Sequence, residues 1–414
     1  MTPPALTLSA DAVTMAAARS IPNARTESAQ PADSFVDSIG VTVHLHYTGT
    51  AYVTSYANLE TLLVGSGIRH IRDGAIDTTW QPYYDHLNAL GRAGVHATLV
   101  TSVNQSAAFI GSYPARVSSA IEAFEGPNEY DRSGDPNWAS TLASFQRMLW
   151  TTVNGRYPVV GPSLTSASAF GAVGDLSGSL TYGNMHDYLA ARNPGTGGWG
   201  GTDAFGTYAT IRYNMNVAAQ ASKAKPIYST ETGYGDVGSY AVPPAVKAKY
   251  TLRTFLEHFN AGVRRVYLYE LVDEGTDGFG TYGLLTSTLA PKPVYTAVKT
   301  MIARLSDKGT PFTPKPLTYG LQAGADVHHT LLQKRDGTYA LVLWIEAAGS
   351  NPDTAAPYTV PGQTATLSFA NTPRVSQAVT IGDDGNAAQV VLGRSGRAIT
   401  VPISDRVTIV NVRF

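Results

Sequence analysis

Ile121-Glu122-Ala123-Phe124-Glu125-Gly126-Pro127-Asn128-Glu129 is the stretch on which the reading of this chain turns. Residues 121–125 have the composition of a short buried strand. Gly126-Pro127 then ends regular structure, because proline donates no amide and restricts the residue before it. A helix-period segment follows at 138–153 and stops at Gly155. The same strand, loop and helix recur on either side. Strand-like runs lie at 39–45, 68–72 and 96–101 before it, and at 158–161, 184–188, 226–231 and 265–270 after it. Helix-period segments at 56–64, 82–93, 208–222, 244–260 and 294–305 separate most of them. Gly65, Gly91 or Gly94, and Gly262 sit where C-terminal caps are needed. Eight units in about 270 residues predict an α/β fold of the (β/α)8 barrel type. A doubly wound sheet would carry Gly-x-Gly-x-x-Gly after the first strand, and none is present.

The barrel is expected over 34–308. From 309 to 414 the rhythm changes to strands broken by tight turns, among them Arg335-Asp336-Gly337-Thr338 and Asp383-Asp384-Gly385-Asn386. This predicts a C-terminal antiparallel β-sandwich that packs on the barrel as a scaffold. Residues 1–33 are rich in Ala, Ser, Thr and Pro, and Leu6-Thr7-Leu8-Ser9 is the candidate for a strand added to the sandwich. The 30 Lys and Arg balance 31 Asp and Glu, so charge gives no reason to expect nucleic acid or an anionic membrane as partner. With no cysteine, disulfides, thiolate metal sites and a cysteine nucleophile are excluded. No apolar run approaches the ~18 residues of a membrane span. The first 33 residues have neither the basic start nor the apolar core of a signal peptide. A charged fraction of only 15% with 23 Tyr nevertheless points to an extracellular protein.

In a barrel the reactive groups stand at the C-terminal ends of strands. Strand four ends in Asn128-Glu129 and strand seven in Ser229-Thr230-Glu231-Thr232-Gly233-Tyr234. These strands lie on opposite sides of the barrel, so two carboxyls can meet over one ligand. Glycosidic bond cleavage needs that arrangement, one group donating a proton and the other attacking the sugar. The pattern resembles glycoside hydrolase clan A, the retaining β/α barrels that include cellulases, β-xylosidases and β-glucuronidases, several with a trailing sandwich. The resemblance implies Glu129 as acid/base, Glu231 as nucleophile, Asn128 on the sugar 2-hydroxyl, an oligo- or polysaccharide substrate and no cofactor or metal.

Other strand ends supply the expected surroundings. Arg72, ending strand two, would hold Glu231 anionic, as an arginine does in many clan members. Glu125 reads as its buried partner or a barrel-layer residue. His186 and Tyr188 at strand six could donate to the nucleophile or the sugar. His44 and His46 share one face of strand one. Strand eight has Tyr269-Glu270 where many clan members have tryptophan, so Tyr269 is the candidate stacking platform. Glu270, Asp273 and Glu274 either bind sugar hydroxyls or face solvent. Trp199, in a Gly-rich loop, and Tyr234 complete the candidate sugar contacts. Two other functions compete. A metal-dependent amidohydrolase would use His44 and His46 but needs ligands that later strand ends do not clearly supply. A non-catalytic carbohydrate-binding barrel has no use for the carboxyl pair. The oligomeric state is not readable.

Overall fold

A computed structural model describes residues 21, 23–196, 209–275 and 280–414. Eight parallel strands form its centre, in chain order Ile39–Thr42, His70–Gly74, His96–Val100, Ile121–Glu125, Val159–Val160, Gly183–His186, Ile227–Thr232 and Arg265–Leu268. Apart from the sixth, each pairs with its predecessor, and the eighth pairs with the first. The fifth and sixth close the barrel through a parallel bridge between Val160 and Tyr182, where the Gly161 amide donates to the Tyr182 carbonyl at 2.8 Å. Tyr228 and Tyr267 fill the lower interior with Ala123 and Val160. Gly40 makes room for Tyr267, since a Cβ there would lie 2.5 Å from the ring. The barrel is therefore a packed core with one open end.

Helices follow every strand. Two of them, Ala107–Arg116 and Ala167–Val173, were not expected from the sequence. The first contains Gly111 and Pro114, which break helical patterns, and the second is only seven residues long. Both start on a serine whose hydroxyl accepts an amide three residues on, Ser106 from Phe109 and Ser166 from Ala169. The first barrel helix, Tyr56–Ser66, is capped by Gly67 at φ 82° and not by Gly65. Gly91 lies inside Gln81–Arg92, where a Cβ would come within 2.5 Å of the Ser119 backbone. Its reason is close approach.

Strand seven carries a bulge. Val266 pairs with Ser229 but Leu268 pairs with Thr232, and Met185 pairs with Ser229 but His186 with Glu231. Strand seven thus holds one residue more than either neighbour across Thr230–Glu231. Simple alternation would send these two side chains to opposite faces. The bulge re-aims them, so that both reach groups of the barrel interior.

The C-terminal part and the N-terminal segment together form two sheets of five and six strands, antiparallel except for the edge strand Gln30–Pro31. The N-terminal segment joins them. Ala24–Glu27 pairs with Leu317–Gln322, and Gln30–Pro31 with Val327–Gln333. Leu6–Ser9 lies outside the described residues. Strand Tyr339–Ile345 is buried along its whole length. Leu341, Leu343 and Ile345 face the sandwich core, while Ala340, Val342 and Trp344 belong to the barrel's core. From helix Pro244–Ala261, Arg253 donates to the Ile345 and Ala347 carbonyls at 2.8 and 2.9 Å. Among the described residues no helix is long and apolar enough to cross a membrane.

Candidate active site

The floor of the open end is organised by Arg72, only 4% exposed. Its Nε and Nη2 donate to the two oxygens of buried Glu125, each at 2.9 Å. Nη2 also donates to Asn128 Oδ1 and Nη1 to Glu231 Oε1, both at 2.7 Å. One planar guanidinium thereby fixes side chains from strands two, four and seven. Glu125 is further held by Asn184 Nδ2 at 3.1 Å, and the Thr230 hydroxyl lies 2.8 Å from Asn184 Oδ1. Tyr188 donates to Glu231 Oε2 at 2.8 Å. Burial raises the pKa of Glu231, but the charges of His186 and Arg72 and the bonds from Tyr188 and Arg72 outweigh it, and the net shift is downward. This carboxylate is built to stay ionised.

Glu129 sits in the loop after strand four with φ 44°, the left-handed region. Its amide is fixed by the Ser163 carbonyl at 3.1 Å and the Ser163 hydroxyl at 3.2 Å. Asn128 Oδ1 accepts from both Arg72 and Ser163, which leaves the Nδ2 donors of this exposed residue for a ligand. His186 Nδ1 stands 2.8 Å from Glu129 Oε1 and 3.6 Å from Glu231 Oε2. One oxygen of each glutamate and one imidazole nitrogen all lie within 4.8 Å of each other. A gap that short lets both carboxyls act on the same bond of one ligand.

The wall on the strand one and strand eight side is acidic and aromatic. His44 bonds Glu274 and lies 3.4 Å from Glu270, while His46 lies 3.3 Å from Asp73. Burial depresses the His44 pKa, yet the two carboxylates carry it up to about 9. Glu270 has a fully buried side chain, and desolvation leads its rise to about 7. Tyr47 stacks on His44 at 4.5 Å. Tyr269 lies 5.8 Å from His44 and 6.0 Å from Tyr282, and Tyr282 in turn 5.8 Å from Tyr188. The rings thus run from strand six around to strand one.

Among the described residues three groups could hold a cation: Glu129 with His186 and Glu231, His44 with Glu270 and Glu274, and Glu257 with His328 and Glu346. His46 belongs to none of them, so the histidine pair of the metal-dependent alternative does not converge. Tyr234 is a correction. It is 1% exposed, packs with Leu189, Val242 and Tyr250, and donates to the Arg192 carbonyl at 3.0 Å. Beyond the strand end no alternation rule fixes where a side chain goes, and this ring turns into the core. Trp199 lies outside the described residues. Sequence reading missed Ser163, Tyr47 and Tyr282, which sit in loops without periodic signal. Only Gly161-Pro162 before Ser163 marked a turn at a strand end.

No family model matches the chain, and no curated protein matches it. Solved structures do. A family 39 glycoside hydrolase from the gut symbiont Bacteroides cellulosilyticus WH2 superposes with TM-score 0.64 at 14% identity, over 93% of this chain and 81% of the other. A family 39 β-xylosidase from Caulobacter crescentus gives 0.56 at 15%, over 94% and 98%. A family 51 α-L-arabinofuranosidase from Bifidobacterium longum gives 0.57 at 10%, over 95% and 98%. The structural neighbours are glycoside hydrolases, and at these identities what is shared is the barrel with its sandwich.

Proposed function

We propose that the chain is a metal-independent retaining glycoside hydrolase acting outside the cell on an oligo- or polysaccharide. The observation that carries this reading is the meeting of Glu129 and Glu231 within 4.8 Å, with unlike surroundings. Glu231 has Arg72 and Tyr188 on its two oxygens; Glu129 is the more open, 27% against 13% exposed, and lies beside His186. Glu231 attacks the anomeric carbon while Glu129 passes its proton to the leaving oxygen. The glycosyl ester neutralises Glu231. Glu129, now ionised, takes a proton from water, whose oxygen displaces Glu231 from the sugar. Asn128 Nδ2 is placed to donate to a sugar hydroxyl beside the reacting carbon.

The acidic wall on the strand one and strand eight side favours a neutral sugar. Glu270, Glu274 and Asp73 stand there, with His44 held between Glu270 and Glu274 and His46 3.3 Å from Asp73. Lys247 and Lys292 are likewise taken by Asp236 and Asp273. A uronate carboxylate would find like charge there.

Nitrophenyl glycosides and polysaccharides screened against wild type and Glu231→Ala test the reading. The variant should lose essentially all turnover, and azide should restore release of nitrophenol with formation of a glycosyl azide of inverted configuration. Chelators should leave the wild-type rate unchanged, whereas a metal-dependent barrel would lose it. Near-normal turnover by Glu231→Ala ends the assignment.

A further inference from the structure

We infer that the sandwich takes part in catalysis: Glu346, at the end of its central strand, is a positioning residue for the loop that carries Tyr188 to the nucleophile. This inference rests on the glycosidase reading above.

The loop after strand six is held at three points. At its start Tyr188 donates to Glu231 Oε2 at 2.8 Å. In its middle Leu189 and Ala191, both fully buried, pack on Val246 and Tyr250 of helix Pro244–Ala261. Further along, at Asn193 and Gly195, the sandwich takes over. Glu346 Oε1 accepts from Asn193 Nδ2 at 2.7 Å and from the Gly195 amide at 3.0 Å. The approach is tight enough that a Cβ on Gly195 would lie 2.4 Å from Glu346 Cγ.

Glu346 is itself rigid. Its side chain is 2% exposed, and Oε2 accepts from Trp344 Nε1 at 2.9 Å and lies 3.6 Å from Arg253 Nε. Trp344 is fully buried in the barrel's core. A charged acceptor fixed this well transmits its position to whatever it bonds, because bonds to a buried carboxylate are stronger than those between neutral groups and hold their geometry. Only four residues lie between Tyr188 and Asn193, so this stretch of the loop is pinned at both ends of a short span. The simpler reading makes Glu346 only the counter-charge of Arg253 in the domain interface. Under that reading the bonds to Asn193 and Gly195 carry no catalytic consequence.

Asn193→Ala separates the two, because it removes the loop's side of the contact and leaves Arg253, Trp344 and Glu346 in place. Against an aryl glycoside that wild type hydrolyses, Asn193→Ala and Glu346→Ala should each lower kcat/KM about tenfold, the lower end for one charge-assisted bond. Each should move the acid limb of the pH profile upward, by no more than Tyr188→Phe does. Glu346→Gln, which keeps an acceptor at Oε1, should recover most of the rate. In a Tyr188→Phe background Asn193→Ala should add less than about twofold, as coupled residues do. If Glu346→Ala does not fold, Asn193→Ala decides alone. An unmoved acid limb in Asn193→Ala, or losses that multiply in the double variant, overturns the inference while Glu231→Ala stays dead and the glycosidase reading stands. Absence of any glycosidase activity in wild type overturns both.

Discussion

Replacing Tyr188 by phenylalanine removes one donor from Glu231 and keeps the ring against Tyr282. A hydrogen bond to a carboxylate contributes about 1.5–3 kcal/mol. Glu231 retains the 2.7 Å bond from Arg72, so the lower end applies. About 1.5 kcal/mol corresponds to about one pKa unit. The sign follows from the balance at the site: burial pushes the Glu231 pKa up, and His186, Arg72 and Tyr188 together push it below the ordinary value. Taking away a group that lowers the pKa must raise it. Attack needs the ionised form, so the acid limb of kcat/KM should move about one pH unit higher in Tyr188→Phe, a roughly tenfold loss at pH values below the wild-type limb. The alkaline limb should stay where it is. Initial rates of nitrophenol release across pH, normalised to active enzyme by burst titration, read both limbs. An acid limb that stays fixed or moves to lower pH refutes the assignment of Tyr188 to the nucleophile.

Arg72→Met strands Glu125, whose side chain is 0% exposed, with only neutral partners, and should cost about 3–5 kcal/mol in urea unfolding. A loss under ~1 kcal/mol would mean that the guanidinium is not the main compensation for that charge. Between barrel and sandwich, burial pushes Glu257 up from 4.5 to about 7. The folded state then holds a proton that the unfolded state has released, so this group's stabilisation is complete below pH 4.5 and is lost as pH rises to 7. Glu257→Gln should flatten the fall in stability across that window, read from melting temperature against pH; an unchanged slope refutes it. A glucuronide should be cleaved at least about tenfold more slowly than the matching neutral glycoside, since one like charge at ~10 Å and an effective dielectric of ~20 costs about 1.7 kcal/mol. Equal kcat/KM values on the two would remove the acidic wall from the specificity argument.

The alternation of strands with helix-period segments was legible because burial on both sides writes apolar runs into the strands and a 3.6-residue stripe into the helices. Ala107–Arg116 escaped because Pro114 and Gly111 oppose helix locally while buried Ile110 and Tyr113 hold it in place. Strand ends drew attention to residues 129 and 231, but alternation from inward-facing Thr230 would have aimed Glu231 outward. The bulge that turns it inward is a register shift, visible only once strands six and eight are paired with seven. A charged Arg72 at the mouth could be read from the sequence. Its simultaneous grip on Glu125, Asn128 and Glu231 could not, because those residues come from strand four, the loop after it and strand seven, which only the closed barrel brings to Arg72.

Strand Tyr339–Ile345 offers no water-facing side. A fragment cut near residue 308 would leave the helix Pro244–Ala261 without its cover and strip Arg253 of the carbonyls it binds. The excised piece should come out of expression as insoluble, sticky protein. Protein engineers who wish to vary the substrate range of this molecule therefore have to exchange loops at the open end of an intact chain, because the halves cannot be shuffled as separate modules.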